Sequence, residues 1–200
     1  MVARIFIVAG KRTAFGTFGG ALKGQSATDL TVHATKAALA AGGIPPSLVD
    51  TVVVGNVQQT SPDAAYLARH VALKSGMPVS TSALTINRLC GSGFQSCVNV
   101  AHEIQLGEAS IGVAGGTESM SQAPMSLYGH EVRWGTRLGA NAQLQDTLWA
   151  GLTDSHAGLP MGMTAENLAS DYEISRGESD EYAVRSQERW AAANAAGAFA

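Results

Sequence analysis

The stretch ALTINRLCGSGFQSCVNVAHEIQLGEASIGVA, residues 83–114, decides the fold class of this 200-residue chain. It opens with a short, mainly apolar run, Leu84–Asn87, that predicts a strand, and it closes with a second such run, Ile111–Ala114. Between them, from about Ser92 to Leu106, apolar residues recur at helical spacing. A strand, a helix and another strand in succession are the building unit of an α/β sheet.

The sequence before this stretch repeats the same alternation. Apolar runs predict strands at Ile5–Ala9 and Thr51–Gly55, and helical patterns occupy residues 26–43 and 64–76. The predicted order is β-α-β-α-β-α-β. Because the strands are continuously apolar, we expect an α/β sheet with helices on both faces.

The sequence after this stretch is organised differently. From Gly116 to about Met163 the alternation stops, and the chain is rich in Gly, Met, Trp and polar residues. An excursion of this length is more often functional than a plain linker. Helices resume over residues 164–172 and 174–197, where Ser175 and Glu178 form a capping box.

Charge and hydropathy restrict the class of function. The formal net charge is −3, and the chain has no run of like charges, which argues against a nucleic-acid surface. Its longest apolar runs are strand-sized, whereas a membrane-spanning helix needs about 20 residues. We therefore expect a soluble protein that acts on small molecules, with no nucleic-acid partner and no membrane span.

Two cysteines, Cys90 and Cys97, are the most informative residues. Seven residues along one helix separate them by about 10 Å, too far for a disulfide. Cys90 lies between a strand and a helix start, where the helix dipole favours a reactive thiolate. The small residues Gly91, Ser92 and Gly93 leave room for a substrate carbonyl to approach. Position alone leaves open the alternative that Cys90 is a small core residue. Cys97, two turns into the helix, is interpreted as core.

Other candidate catalytic groups are weaker. The five histidines lack the spacing of a metal site, and we interpret them as surface or interface residues. Glu118 follows a predicted strand end, a usual location for catalytic groups in α/β proteins. The favoured interpretation is that Glu118 holds the loop through hydrogen bonds.

Three segments, NRLCGSGFQS, GGTESMSQAP and LTDSHAGLPMGMTAENLA, resemble the thiolases, and more narrowly the 3-ketoacyl-CoA thiolases. The resemblance implies a thiolase fold with a mixed sheet. Residues 1–117 correspond to the N-terminal thiolase domain and residues 118–200 to an incomplete inserted loop domain. The C-terminal thiolase domain, with its Gly-His-Pro and Cys-x-Gly-Gly-Gly segments, is expected outside this chain.

The resemblance also implies a reaction. Cys90 is expected to attack a 3-ketoacyl-CoA and to carry the shortened acyl group as a thioester until CoA removes it. Leu152 and Met161 match positions that line the pantetheine channel. The family implies no metal and no cofactor, because CoA is a substrate, and it implies a homodimer or homotetramer. The expected location is the cytoplasm of a bacterium or the mitochondrial matrix of a eukaryote.

Three alternatives accompany this hypothesis. A biosynthetic acetoacetyl-CoA thiolase commonly has His-Met where this chain has Pro160-Met161, which favours the degradative subgroup. A β-ketoacyl synthase surrounds its cysteine with a different motif than NRLCGSG. The chain alone is also compatible with a non-catalytic module for CoA binding or assembly, since half of the catalytic groups are expected elsewhere.

Overall fold

A parallel three-stranded sheet forms the centre of the fold in the computed structural model, which describes residues 4–199. Its strands are β1 (Thr51–Gly55), β2 (Ser82–Ile86) and β3 (Gly112–Gly116). β1 lies in the middle, with β2 and β3 paired parallel to it on either side. These three strands occur at the predicted positions, but all are parallel, so the mixed character expected from the family is not seen in them.

Three helices cover these strands: α1 (Ala27–Gly42), α2 (Leu67–Lys74) and α3 (Ser92–Leu106). α1 precedes β1, whereas α2 connects β1 to β2 and α3 connects β2 to β3. Local chemistry defines the ends of α1. The Ser26 hydroxyl accepts a hydrogen bond from the Asp29 N–H, and Gly43 ends the helix with a φ of 63°, a conformation that favours glycine. The boundaries predicted for α3 agree with the structure.

The main core lies between the sheet and the first two helices. Val52 and Val54 of β1 pack with Leu39 of α1 and with Leu67 and Val71 of α2. All five side chains are buried, which is the expected consequence of a β-branched strand between two layers. α3 covers the opposite face of the sheet, where Gly55 of β1 lies against Ser92, so the prediction of helices on both faces is confirmed.

The first predicted strand is wrong. Residues 5–9 lie within the described part of the chain and are not assigned to a strand. Instead, Val8 and Ala9 lie beside the end of α1 at Gly42, and the Ile7 side chain is 93% exposed. An apolar run becomes a strand only through hydrogen bonds to a neighbouring strand.

The chain divides into two compact units, the first ending at Leu148 and the second beginning at Trp149. The excursion after β3 contains short elements. They are β4 (Met125–Ser126), α4 (Gly129–Val132), β5 (Gln145–Asp146), α5 (Thr147–Gly151), β6 (Thr153–Asp154) and β7 (Leu159–Pro160). β4 pairs antiparallel with β5, and β6 pairs antiparallel with β7.

Two longer helices, α6 (Met161–Asp171) and α7 (Arg176–Ala195), follow in the second unit. The predicted capping box at the start of α7 is confirmed: Ser175 and Glu178 exchange side-chain to backbone hydrogen bonds. Over residues 4–199, none of the helices has both the length and the apolar character needed to cross a membrane. The domain boundary predicted at residue 117 rests on the resemblance and stays a prediction.

Candidate active site

The carboxyl ends of the three parallel strands lie at one edge of the sheet, where α/β proteins commonly bind ligands. Cys90 follows β2 by four residues, and Glu118 follows β3 by two. β1 ends at Gly55, directly before Asn56. The topology thus brings together three loops that are far apart in sequence.

Cys90 is exposed and stands two residues before the first residue of α3. Within residues 4–199, Cys90 is therefore not part of the buried core. The first turn of a helix favours a neighbouring negative charge, because its N–H groups lack partners within the helix. A cysteine in this setting is suited to nucleophilic attack, and the catalytic role of Cys90 stays a prediction.

The start of α3 rests directly on the strand ends. A Cβ atom built on Gly55 would lie 2.6 Å from the Cβ of Ser92, and one built on Gly116 would lie 2.9 Å from the Cα of Gly93. Both distances are shorter than any ordinary van der Waals contact. Glycines at the ends of β1 and β3 therefore allow the helix that follows Cys90 to approach the sheet.

The interpretation of Cys97 as a core residue is wrong, because the structure leaves Cys97 exposed. The buried stripe of α3 consists of small residues, Ser92 and Ser96, together with Val100. Small side chains let the helix lie close to the sheet. The apolar residues whose helical spacing predicts a common face, Phe94, Cys97, Val98, Ala101 and Ile104, therefore point away from the sheet. Phe94 on that face is 76% exposed.

Glu118 links two of the three loops. Its carboxylate accepts hydrogen bonds from the Asn56 side-chain amide at 2.9 Å, from the Val57 N–H at 2.6 Å and from the Gln58 N–H at 3.1 Å. The Asn56 amide also donates to the Thr117 carbonyl at 3.0 Å. This network agrees with the interpretation that Glu118 holds the loop after β1 against the loop after β3.

Asn56 was not predicted from the sequence, and Ser92 was predicted only as a small residue that leaves room for a substrate. Asn56 directly follows the end of β1, and like Glu118 it therefore has a usual location for functional groups in α/β proteins. Ser92 belongs to the small-residue cluster after Cys90, but only the structure places its hydroxyl at the turn that presents Cys90.

Leu152 and Met161, the predicted substrate-binding residues, lie in the second unit. The Met161 N–H donates a hydrogen bond to the Leu152 carbonyl at 3.1 Å, at the open end of the β6–β7 pair. Both side chains are exposed, Leu152 by 36% and Met161 by 48%. The structure thus joins the two residues to each other, while their role in binding stays a prediction.

The histidines occupy surface positions, as predicted. His33, His102, His130 and His156 are exposed, and His70 is half-buried with its Nδ1 atom 3.1 Å from the Asp63 carboxylate. Among the residues that the structure describes, no group of three or more His, Cys, Asp or Glu side chains is arranged to hold a metal ion.

Comparison with known proteins identifies this arrangement. The sequence model of the family described as "Thiolase, N-terminal domain" matches residues 5–200. The chain belongs to the thiolase family. Mitochondrial 3-ketoacyl-CoA thiolase of Rattus norvegicus is 60% identical to this thiolase chain over 195 residues, which make up 98% of the chain and 49% of the rat protein.

A bacterial thiolase and a solved structure extend the comparison. Acetyl-CoA acetyltransferase of Chromobacterium violaceum is 44% identical over 98% of the chain and 49% of its own length. The crystal structure of human mitochondrial 3-ketoacyl-CoA thiolase in complex with CoA superposes with a TM-score of 0.91 at 59% identity, covering 96% of this chain and 48% of the human one. The predicted thiolase fold is confirmed, and the chain spans about half the length of these relatives.

Proposed function

We propose that this thiolase chain supplies the N-terminal half of an acyltransferase that cleaves 3-ketoacyl-CoA with CoA. The products are acetyl-CoA and a shortened acyl-CoA, as in fatty acid β-oxidation, and the reaction is reversible. One observation carries the proposal: an exposed cysteine precedes α3 at the ligand-binding edge of the sheet, in a chain 60% identical to a 3-ketoacyl-CoA thiolase.

In the proposed reaction the Cys90 thiolate attacks the 3-keto carbon of the substrate. The bond between carbons 2 and 3 breaks, acetyl-CoA leaves and takes up a proton, and the acyl group stays on Sγ as a thioester. The thiol of a second CoA then gives up its proton and attacks this thioester, which releases the shortened acyl-CoA and restores Cys90. CoA is a substrate throughout, and no metal or other cofactor takes part.

The residues of this chain supply only part of the chemistry. The backbone N–H of Cys90 is proposed to contribute one donor to an oxyanion hole, and the other donor would come from the C-terminal half. Proton transfer is assigned to the histidine of a Gly-His-Pro segment and the cysteine of a Cys-x-Gly-Gly-Gly segment, neither of which occurs in residues 1–200. We therefore propose that a C-terminal thiolase half is an obligatory partner.

Leu152 and Met161 are proposed to contact the pantetheine arm of CoA. A backbone hydrogen bond joins these two residues, and both side chains are apolar and exposed, which suits contact with an extended, partly apolar chain. The related human thiolase was crystallised in complex with CoA, which supports the same class of substrate for this chain.

We also propose a homodimer, with a homotetramer as the larger alternative. Among the described strands, β2 pairs on one side only, with β1, and Leu84 on it is 44% exposed. An open strand edge with apolar side chains is a frequent site of association.

For location, the rat and human relatives are named mitochondrial, so the matrix is proposed for a eukaryotic source and the cytoplasm for a bacterial one.

The test uses residues 1–200 combined with a C-terminal thiolase half that carries the Gly-His-Pro and Cys-x-Gly-Gly-Gly segments; we call this combination the assembled enzyme. After incubation with acetyl-CoA, peptide mass mapping should find the acetyl group on Cys90. Cys97 is the internal control, because it is an exposed cysteine on the same helix. Acetylation of Cys97 with Cys90 unmodified would contradict the proposal, as would full turnover in Cys90→Ala.

A second candidate, a biosynthetic acetoacetyl-CoA thiolase, is favoured by the 44% identity to an acetyl-CoA acetyltransferase. Steady-state rates separate the two. The degradative enzyme should cleave longer 3-ketoacyl-CoA esters at least as well as acetoacetyl-CoA, whereas the biosynthetic one should accept acetoacetyl-CoA alone.

A further inference from the structure

The hydroxyl of Ser92 bridges the two ends of the turn that presents Cys90. Ser92 is 4% exposed, and its Oγ accepts a hydrogen bond from the Arg88 N–H at 2.8 Å. The same Oγ donates to the Leu89 carbonyl at 2.6 Å. A buried hydroxyl that is used as both donor and acceptor resists displacement, since the Arg88 N–H would otherwise lose its acceptor.

Leu89, the residue directly before Cys90, has an unfavourable backbone conformation. Its φ is +48°, in the left-handed region that a bulky side chain rarely adopts. The direction of the Cys90 side chain follows from this backbone angle. Residues in such conformations persist only where their surroundings hold them, and they cluster at functional sites.

Two side chains hold Leu89 in this conformation. The Asn87 Oδ1 atom accepts a hydrogen bond from the Leu89 N–H at 2.9 Å, and Ser92 binds the Leu89 carbonyl through both its hydroxyl and, at 3.0 Å, its backbone N–H. Ser92 is itself fixed, because its backbone lies against Gly55 at the end of β1. The central strand thus fixes the position of Ser92, and Ser92 in turn fixes the backbone of Leu89, which directly precedes Cys90.

We propose that Ser92, together with Asn87, is a positioning residue that holds Leu89 at positive φ and thereby aims the Cys90 thiol. Only the expected effect on turnover rests on the proposed function. The expected effect on the rate of Cys90 alkylation is independent of which acyl-CoA the enzyme uses.

The experiment measures alkylation of Cys90 by iodoacetamide in the assembled enzyme, followed by peptide mass mapping. Ser92→Ala should slow Cys90 alkylation by about three- to tenfold, the factor expected from the loss of one hydrogen bond. In acyl transfer, kcat should fall by a similar factor with KM for CoA unchanged, because the substrate-binding residues are untouched. Asn87→Ala, at an exposed position, should slow alkylation in the same direction and serves if Ser92→Ala does not fold.

Ser96→Ala is the matched control. Ser96 is a fully buried serine one turn further along α3, and its hydroxyl donates to the Gly93 carbonyl at 2.6 Å. Both serine variants should lower the melting temperature comparably, but only Ser92→Ala should change the alkylation rate of Cys90. Equal Cys90 rates in Ser92→Ala, Ser96→Ala and wild type would overturn the proposal. An assembled enzyme that alkylates as expected but cleaves no 3-ketoacyl-CoA would overturn the proposed function instead.

Discussion

At the scale of single residues, the site depends on the absence of side chains at Gly55 and Gly116. The backbone of α3 occupies the space in which any side chain at these two positions would lie, at 2.6 Å and 2.9 Å from a built Cβ. A methyl group there must displace the helix start, together with the turn that carries Cys90. Close packing of this kind makes even one added carbon costly.

Gly55→Ala should therefore destabilise the assembled enzyme by about 1–3 kcal/mol, the usual cost of overpacking. Gly115→Ala is the matched control, because a Cβ at Gly115, near the end of β3, meets nothing within 4 Å. Thermal unfolding of both variants beside wild type gives the comparison. Equal melting temperatures for the two variants would contradict the steric explanation.

At the scale of elements, side-chain hydrogen bonds align the sheet at the end opposite to the site. The Asp50 carboxylate, directly before β1, accepts hydrogen bonds from the Ser110 N–H at 2.8 Å and the Ile111 N–H at 3.0 Å. These bonds join the start of β1 to the start of β3. The hydrogen bonds from Ile111 and Ser110 lower the pKa of Asp50 below its usual value.

This lowered pKa gives a pH dependence with a definite sign. Because the folded state favours the ionised carboxylate, the contribution of Asp50 to stability is present above its unfolded pKa, near 4, and is lost as pH falls through the lower folded pKa. Asp50→Asn should lower the melting temperature at pH 7 and flatten its decline below about pH 4. Glu108→Gln, at an exposed position, is the control. An unchanged acid profile in Asp50→Asn would contradict this assignment.

At the scale of the whole molecule, large apolar side chains remain uncovered in both units. In the first unit Phe6, Ile7 and Phe94 are at least 75% exposed. In the second, α6 and α7 contain no buried residue. Exposed apolar surface of this extent marks sites where other chains or domains pack. It supports the proposal that a C-terminal thiolase half accompanies this chain.

Residues 1–200 alone should accordingly show no thiolysis. Each missing group, the general base and the second oxyanion donor, typically contributes a factor of about 10² or more to the rate. The assay follows the absorbance of a 3-ketoacyl-CoA with free CoA present. Adding the C-terminal half should restore turnover and improve solubility, and Cys90→Ala in the same assembly is the control. Turnover by the chain alone near that of the assembled enzyme would refute the assignment of catalytic groups to the other half.

Local sequence determined the elements that depend on neighbouring residues. The helix over residues 92–106 and the capping box of Ser175 and Glu178 were predictable, because helices and caps are stabilised by contacts three or four residues apart. The α/β class followed from the alternation of strands and helices. The place of Cys90 between β2 and α3 was predictable for the same reason.

Tertiary structure alone decided which surfaces are buried. Residues 5–9 have the composition of a strand but remain unpaired, because pairing depends on a neighbour that no local pattern specifies. α3 buries Ser92 and Ser96 and exposes Phe94 and Cys97. The glycines of β1 and β3 leave room for the helix backbone, so the face with small side chains packs on the sheet instead of the face with large apolar ones. Ser92 binds the Leu89 carbonyl, and Glu118 binds the Asn56 amide. Both arrangements depend on contacts between strand ends, which only the folded sheet brings together.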